Sequence, residues 1–535
     1  MTIPIDVHKV FAEYFIGYES LAYALSSKLS EGNICIDIEA YKEELPIIFA
    51  DQKTKESFKE NDSKFWVSQE DFAKQCTEGG YVTHSDAELK PFVIQNGMAY
   101  LHRYFQYETH IIENVKRLKN NFRIITGGPG TGKTHSVSTN LIKLFSNNID
   151  IKVALAAPTG KAAARMNESI KKFAEDQQGD IDNRVKNKLT SLNAQTIHRL
   201  LGYIPNSVFF RYNEKNRLPY DVLIIDECSM IDGALMAKLL NAVNDKTKLY
   251  LLGDKDQLAS VEAGSVFGDL CRSKDFVLLK GRVEVKSKNW RFDNNKGIGK
   301  FSKEVITGSF GDISNYATDK QITIDTTFST ELFNKYAILY KEYICEPDIK
   351  TAIQKLNKIR FLCVIKEKKQ SVSEVNKQVQ AYLAAHIDGF NPRVEGFYHN
   401  QPIMITKNDY QLGIFNGDVG IIRKESTSDG ETFFVHFETV DGEIKKIQAG
   451  YLNHYDTVFA MTIHKSQGSE FENVVVMLPE EQGEKLLAKE LLYTAVTRAK
   501  NKVLIQTSEK VLKKCVEKSV SRASGIEKRL KSEKS

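Results

Sequence analysis

At 535 residues the chain is too long for one hydrophobic core, so about three or four structural units are expected. Hydrophobic residues at 41% and charged residues at 27% exclude a disordered or membrane-embedded class, and no apolar run reaches the ~18 residues of a membrane span. Net charge is +5 but uneven: residues 1–100 carry 17 Asp/Glu against 9 Lys/Arg, hence −8, which leaves +13 for the remainder. That asymmetry fits a basic body that meets phosphate under an acidic head that docks to protein, and equally two solvated surfaces of opposite sign. The seven cysteines are scattered singly without CxxC pairs, which argues against a disulfide framework, a zinc site or an iron–sulfur cluster. The start, MTIPIDVHKVFAEYF, lacks a signal-peptide pattern, so a cytoplasmic location is expected.

Residues 1–105 mix helical patterns (VFAEYFIGYESLAYALSSKL) with a brief strand (ICIDI) and a polar stretch, TKESFKENDSK, and hold no catalytic constellation. Five short apolar runs follow, with helical sequence between them: FRIIT (122–126), VALAA (153–157), VLIID (222–226), LYLLG (249–253) and FVLLK (276–280). Continuous apolar strands alternating with helices predict a parallel α/β sheet covered on both faces. A second series, FLCVI (361–365), PIMIT (402–406), TVFAMT (457–462), VVVML (474–478) and KVLIQ (502–506), predicts another. Residues 417–452 read differently, since alternating strands broken by two Asp-Gly turns predict a small antiparallel β unit inserted in that second sheet.

The first apolar run leads into GGPGTGKT (127–134) and then a helical run, HSVSTNLIKLF. This is the pattern of a phosphate-binding loop. Gly127, Gly128, Gly130 and Gly132 let backbone N–H groups turn inward, Pro129 and Thr131 complete the loop between them, and His135 follows in the first helical turn. Lys133 would reach the β- and γ-phosphates, and Thr134 would hold Mg²⁺. The third run ends in VLIIDECSM (222–230), where Asp226 would bind the Mg²⁺ through water and Glu227 would orient or deprotonate the attacking water. In LLGDKDQLASVEAG (251–264), Gln257 is placed to sense the γ-phosphate. ATP and Mg²⁺ are therefore the expected cofactors. Arg291 lies in KNWRF (288–292) and Arg498 in LLYTAVTRAK (491–500). If the second sheet stacks on the first, Arg498 faces the γ-phosphate across a cleft, as an arginine finger does.

Nine segments then occur in a telling order: GGPGTGKT, APTGKAAARM (157–166), TIHRLLG (196–202), IIDECSM, GDKDQLASVEAG, NWRF, NDYQLGIFNGDVG (408–420), MTIHKSQGSEF (461–471) and YTAVTRAK. Together they resemble a superfamily-1 DNA helicase of the RecD type, the α subunit of exodeoxyribonuclease V (RecBCD). The likeness spans about residues 100–525, and SRASGIEKRL is similar to a RecD C-terminus.

The resemblance implies an α/β fold of two tandem RecA-like parallel-sheet domains, 106–300 and 301–535. It adds a mixed N-terminal partner-docking domain at 1–105 and a small β-barrel insertion at about 417–452. A strand–turn–strand hairpin at about 207–221, SVFFRYNEKNRLPYD, would be a pin that splits the duplex. The implied activity is an ATP-dependent 5′-to-3′ DNA helicase acting on single-stranded DNA and duplex ends. It would serve double-strand-break repair and recombination beside RecB-like and RecC-like subunits, with no nuclease site of its own. Strand contacts would come from Pro158, Thr159, Gly160, Lys161, Thr196 and His198 on the first domain, and from Asn416, Thr462, His464, Lys465, Ser466 and Gln467 on the second. Lys465 and Gln467 would also couple that contact to the nucleotide, with Gly468 permitting close backbone approach. An adenine-reading glutamine is expected before the phosphate loop, and Gln106 is the nearest candidate. Two other readings stay open: a stand-alone or phage-type helicase, and a non-motor P-loop ATPase serving as a scaffold subunit.

Overall fold

The computed structural model describes residues 6–50, 64–65, 67–85, 87–177, 181–260, 262–393, 396–409, 411–427, 430–439, 442–481, 483, 486–520 and 522–532. All of TKESFKENDSK but Lys64 lies outside them, as do Asp429 and Asp441 of the two expected Asp-Gly turns. Among the described residues no helix is long and apolar enough to cross a membrane. Four sheets organise the chain. The N-terminal one orders its strands Cys35–Asp37, Met98–Leu101, Phe92–Gln95 and Val82–Thr83. Alternation decides what each face covers: Phe92 and Ile94 pack under the helices Glu19–Ser30 and Gln69–Gln75, while Val93, Met98 and Tyr100 pack on Phe105 and Ala263.

In the first α/β unit the strands run Val283–Val285, Phe122–Thr126, Lys248–Gly253, Val222–Ile225, Val153–Ala157 and Ala194–Thr196, all parallel. Four of the five expected runs are strands. FVLLK is not: residues 276–280 turn back on themselves through Leu279 and Lys280 N–H bonds to the Phe276 carbonyl, burying Leu279 and exposing Val277. The edge strand begins three residues later. Both edge strands are short and only partly buried, so neither it nor Ala194–Thr196 carries an apolar run. The expected hairpin at 207–221 also forms differently. Residues 210–212 pair with 201–203 through a Tyr203–Phe210 bridge and bonds from Arg211 and Tyr212 to Gly202 and Leu201. The excursion between them exposes Ile204, Val208 and Phe209.

The second α/β unit orders Ile322–Asp325, Ala499–Gln506, Phe471–Met477, Ile359–Cys363 and Ala460–Thr462, again all parallel. PIMIT is not part of it. Residues Gln401–Ile405 join an antiparallel sheet with Val419–Thr427, Gly430–Glu438, Ile444–Gln448 and Tyr455–Thr457. This strand is apolar on both faces because Ile403 and Ile405 enter the antiparallel sheet's own core while Met404 enters that of the parallel unit. Sequence periodicity cannot tell such a strand from a parallel one. TVFAMT is divided likewise, Thr457 ending the antiparallel sheet and Ala460–Thr462 returning to the parallel one. Among the described residues the antiparallel pairings run in open order, with Ile444–Gln448 and Tyr455–Thr457 as outer strands and no pairing that closes them into the expected small barrel.

The chain's end departs from the expected boundary. Helix Ile526–Ser532 leaves the second unit and sets Ile526 and Leu530, four residues apart, into the core of the first. Lys528 pairs with Asp37 and Arg272 with Glu527, so residues 522–532 pin the N-terminal unit to the first α/β unit.

Candidate active site and strand-contacting surface

The phosphate loop links strand Phe122–Thr126 to helix Lys133–Asn147. Gly130 has φ 79°, and a Cβ there would lie 2.5 Å from that of Arg291, so glycine serves both conformation and fit. The Lys133 ammonium donates to the carbonyls of Gly127 (2.6 Å) and Gly128 (3.2 Å). His135 is exposed, its ring edge-on to Phe173 at 4.9 Å.

Asp226 and Glu227 close the strand Val222–Ile225. Glu227 holds a left-handed backbone (φ 52°), a strained conformation of the kind that clusters at functional sites, and donates its N–H to Asp226 Oδ1 at 2.8 Å. Burial and then the Glu227 charge raise the Asp226 carboxyl above the usual range, with Lys133 opposing. Gln257 donates through Nε2 to Asp254 Oδ2 at 3.1 Å, and its buried Oε1 has no partner among the described residues.

Asn289, Trp290 and Arg291 hold the loop from its other side. Asn289 Nδ2 donates to the Pro129 carbonyl (3.0 Å) and the Trp290 N–H to that of Gly130 (2.9 Å). Trp290 itself is 72% exposed at the rim. Arg498 comes from the second unit, just past helix Lys489–Val496, and bonds the carbonyls of Thr494 (3.1 Å) and Ser469 (3.3 Å). Its guanidinium is buried, and among the described residues neither its Nη2 nor Arg291 Nη1 has a hydrogen-bond partner.

These groups surround one cavity of about 360 Å³ lined by residues 129–135, Asp226, Glu227, Gln257, Arg291 and Arg498. The structure thus brings every expected catalytic residue together, with Gly127 and Gly128 bracing Lys133 behind them. Three buried polar atoms without a partner among the described residues (Gln257 Oε1, Arg291 Nη1 and Arg498 Nη2) belong to its walls, as expected where a polar ligand completes the bonding. Gln106 is not among the lining residues and sits on an exposed face of helix His102–Leu118.

Several lining residues were not expected. Arg165, on helix Gly160–Asp176, donates to the Gly468 carbonyl (2.9 Å) and pairs with Glu470. Arg291 pairs with the same carboxylate at 2.7 Å, and Lys500 stands 3.7 Å from it. Burial alone would raise Glu470, but Arg165 and Arg291 bring it down to about 2. Both residues sit inside recognisable segments (APTGKAAARM and QGSEF), yet only the fold shows that they meet.

The seam between the units carries further bonds. Tyr493 Oη donates to Asp254 Oδ2 (3.0 Å), and the Leu258 N–H donates to Thr494 Oγ1 (2.8 Å). Gln467 Nε2 donates to the Leu258 carbonyl at 2.6 Å, tying the turn 461–471 to the loop that carries Gln257. Gly468, at φ 70°, lets that turn approach Thr159 and Ala162.

The other expected strand contacts divide. Thr159 caps helix Gly160–Asp176, beside Pro158, and Thr196 caps helix Ile197–Leu200. His198 is exposed, with its ring near Phe210, and Asn416, Thr462, His464 and Lys465 reach the surface wholly or in part. Lys465 pairs with Asp456 at 3.0 Å. Ser466 does not reach the surface: its hydroxyl is buried and donates to the Ile463 carbonyl (2.7 Å), so it holds the turn and faces no strand. The Lys161 ammonium lies inward over the Phe471 ring at 5.6 Å, where burial and then Arg360 bring it down to about 7. Arg199, absent from the expected set, stacks on Phe415 at 4.5 Å and joins the first unit to the loop before Asn416.

Comparison with known proteins agrees with this geometry. Residues 111–263 match a model described as an AAA domain, and 457–505 one described as a UvrD-like helicase C-terminal domain. The RecBCD enzyme subunit RecD of Mycolicibacterium smegmatis is 37% identical over 77% of this chain and 73% of its own. That of Haemophilus influenzae is 29% identical over 98% of this chain and 95% of its own. The ATP-dependent RecD2 DNA helicase of Deinococcus radiodurans is 29% identical over 71% of this chain and 46% of its own. A Bacteroides Pif1 structure bound to single-stranded DNA aligns with 74% of the chain at 15% identity and a TM-score of 0.40, too distant to bear on the argument. With a relative so similar over three-quarters of its length, the chain belongs to the RecD family of superfamily-1 helicases, ATP-dependent DNA helicases.

Proposed function

We propose that the chain is the 5′-to-3′ motor subunit of a RecBCD-type helicase–nuclease complex, processing DNA ends for double-strand-break repair and recombination. One observation carries this reading: Gln467, in the turn read as strand-contacting, is bonded to the backbone of the loop that carries Gln257 in the nucleotide cavity. Residues 106–300 and 301–520 serve as the two motor domains. Backbone N–H groups of the loop and Lys133 cradle the β- and γ-phosphates. Thr134 and Asp226 offer the hard oxygen ligands that suit Mg²⁺, whose charge would neutralise phosphate oxygens. Glu227 orients the attacking water, Gln257 senses the γ-phosphate, and Arg291 and Arg498 stabilise the charge that develops on it.

Strand grip comes from Pro158, Thr159, Gly160, Thr196, His198 and Arg199 on one unit, and from Asn416, Thr462, His464 and Lys465 on the other. Relative movement of the two sets steps the motor along single-stranded DNA. The exposed apolar loop at 204–209 parts the duplex. The N-terminal unit, with Val7, Val10, Tyr14 and Ile16 exposed, docks to RecB-like and RecC-like subunits, and cleavage belongs to another subunit of the complex. Unwinding of duplexes bearing a 5′ or a 3′ single-stranded tail tests the polarity. The reading expects unwinding from the 5′ tail, and preference for the 3′ tail contradicts it.

A further inference from the structure

Glu470 has no part in the chemistry above, yet it stands in the cavity wall with three cations on it. Its side chain is 11% exposed and meets Arg165 from the first unit, Arg291 from the segment that braces the phosphate loop, and Lys500 from its own unit. Arg165 is held besides by the Gly468 carbonyl, whereas Arg291 keeps a buried Nη1 with no hydrogen-bond partner among the described residues. Arg291 therefore has one nitrogen on a carboxylate and another unspent, in the cavity assigned to the triphosphate.

We propose that Glu470 is a positioning residue that holds Arg291 and Arg165 together across the seam as a stand-in anion, and that the γ-phosphate takes Arg291 from it. This rests on the nucleotide reading of the cavity. A phosphate and a carboxylate compete for the same guanidinium, and charge-assisted, bidentate pairing favours the more highly charged anion. Once Arg291 turns to phosphate, Glu470 is left to Arg165 and Lys500, so the pair that joins the two units tightens when nucleotide arrives. No proton or bond is exchanged. The carboxylate's low pKa means that it stays charged throughout the physiological range.

The test is steady-state ATP hydrolysis by the full-length chain, with and without single-stranded DNA, for wild type, Glu470→Gln and Arg165→Gln. Without the competing charge, E470Q is expected to lower KM for ATP by roughly three- to tenfold, while kcat with DNA falls by about tenfold because the seam pair is lost. Inorganic phosphate should inhibit E470Q at lower concentration than wild type. R165Q, which spares the Arg291 contact, is expected to lower kcat with DNA and leave KM near wild type, and it carries the test should E470Q not fold. A raised KM in E470Q overturns the proposal and makes Glu470 a direct nucleotide contact; unchanged constants in both variants overturn it as well. Lys133→Ala separates the two levels: if wild-type hydrolysis matches that of K133A, the nucleotide reading itself fails.

Discussion

Gln467 condenses the account to a single side chain, because its amide spans the seam while its neighbours Thr462, His464 and Lys465 reach the surface. Replacing it by alanine leaves the buried Leu258 carbonyl without that partner, a cost of about 1–3 kcal/mol. We expect Gln467→Ala to keep hydrolysis without DNA within about threefold of wild type and to lose about tenfold of the stimulation by DNA, read in an ATPase titration with oligonucleotide. Lys161 supplies a pH test. Its folded pKa, lowered from 10.5 to about 7, makes the charged form unfavourable in the folded chain. The unfolded chain therefore binds the proton more tightly, the penalty is full below pH 7, and it shrinks as pH rises toward 10.5. Lys161→Met should melt higher than wild type at pH 7, with the gap narrowing by pH 9 in thermal unfolding. The phosphate-loop and Asp-Glu residues that line the cavity were legible at this scale because a phosphate loop has a recognisable spacing and the Asp-Glu pair follows it at a strand end. Glu470 and Arg165 were not, since a lone carboxylate and a lone arginine 305 residues apart announce no pairing until the fold closes.

Among elements, the parallel strands were readable wherever both faces are buried, as in VALAA and VVVML, and misread where burial has another cause. PIMIT is apolar because it joins two cores, and FVLLK because a turn tucks Leu279 inward. The loop at 204–209 illustrates the converse, since its Ile204, Val208 and Phe209 look like strand or core residues in sequence and stand in solvent in the fold. As the proposed duplex-parting element it predicts a split result for Phe209→Ala. ATP hydrolysis with single-stranded DNA should stay at the wild-type rate, while strand separation in a fluorescence unwinding assay falls by about fivefold or more. Equal unwinding by both proteins contradicts that role.

For the whole molecule, the last described helix is the feature least visible in sequence, because helix Ile526–Ser532 is short and draws its stability from partners 255 to 491 residues away. Its approach places the buried Glu108 carboxylate within reach of Tyr100, Ser524, the Gly525 N–H and Arg529. Arg529→Ala removes the cation beside a buried carboxylate that burial already pushes upward, at a cost of about 1–3 kcal/mol. A lower melting temperature and faster proteolysis of the N-terminal unit are expected, and unchanged values would show that the clasp contributes nothing. The central claim is that one nucleotide cavity, built by both units, answers to a DNA strand gripped beside it. It is tested most directly by the ATPase rate of the full-length chain with and without single-stranded DNA, for wild type and Lys133→Ala. The account predicts strong stimulation by DNA in the wild type and none in the variant; a wild-type rate indifferent to DNA would contradict it.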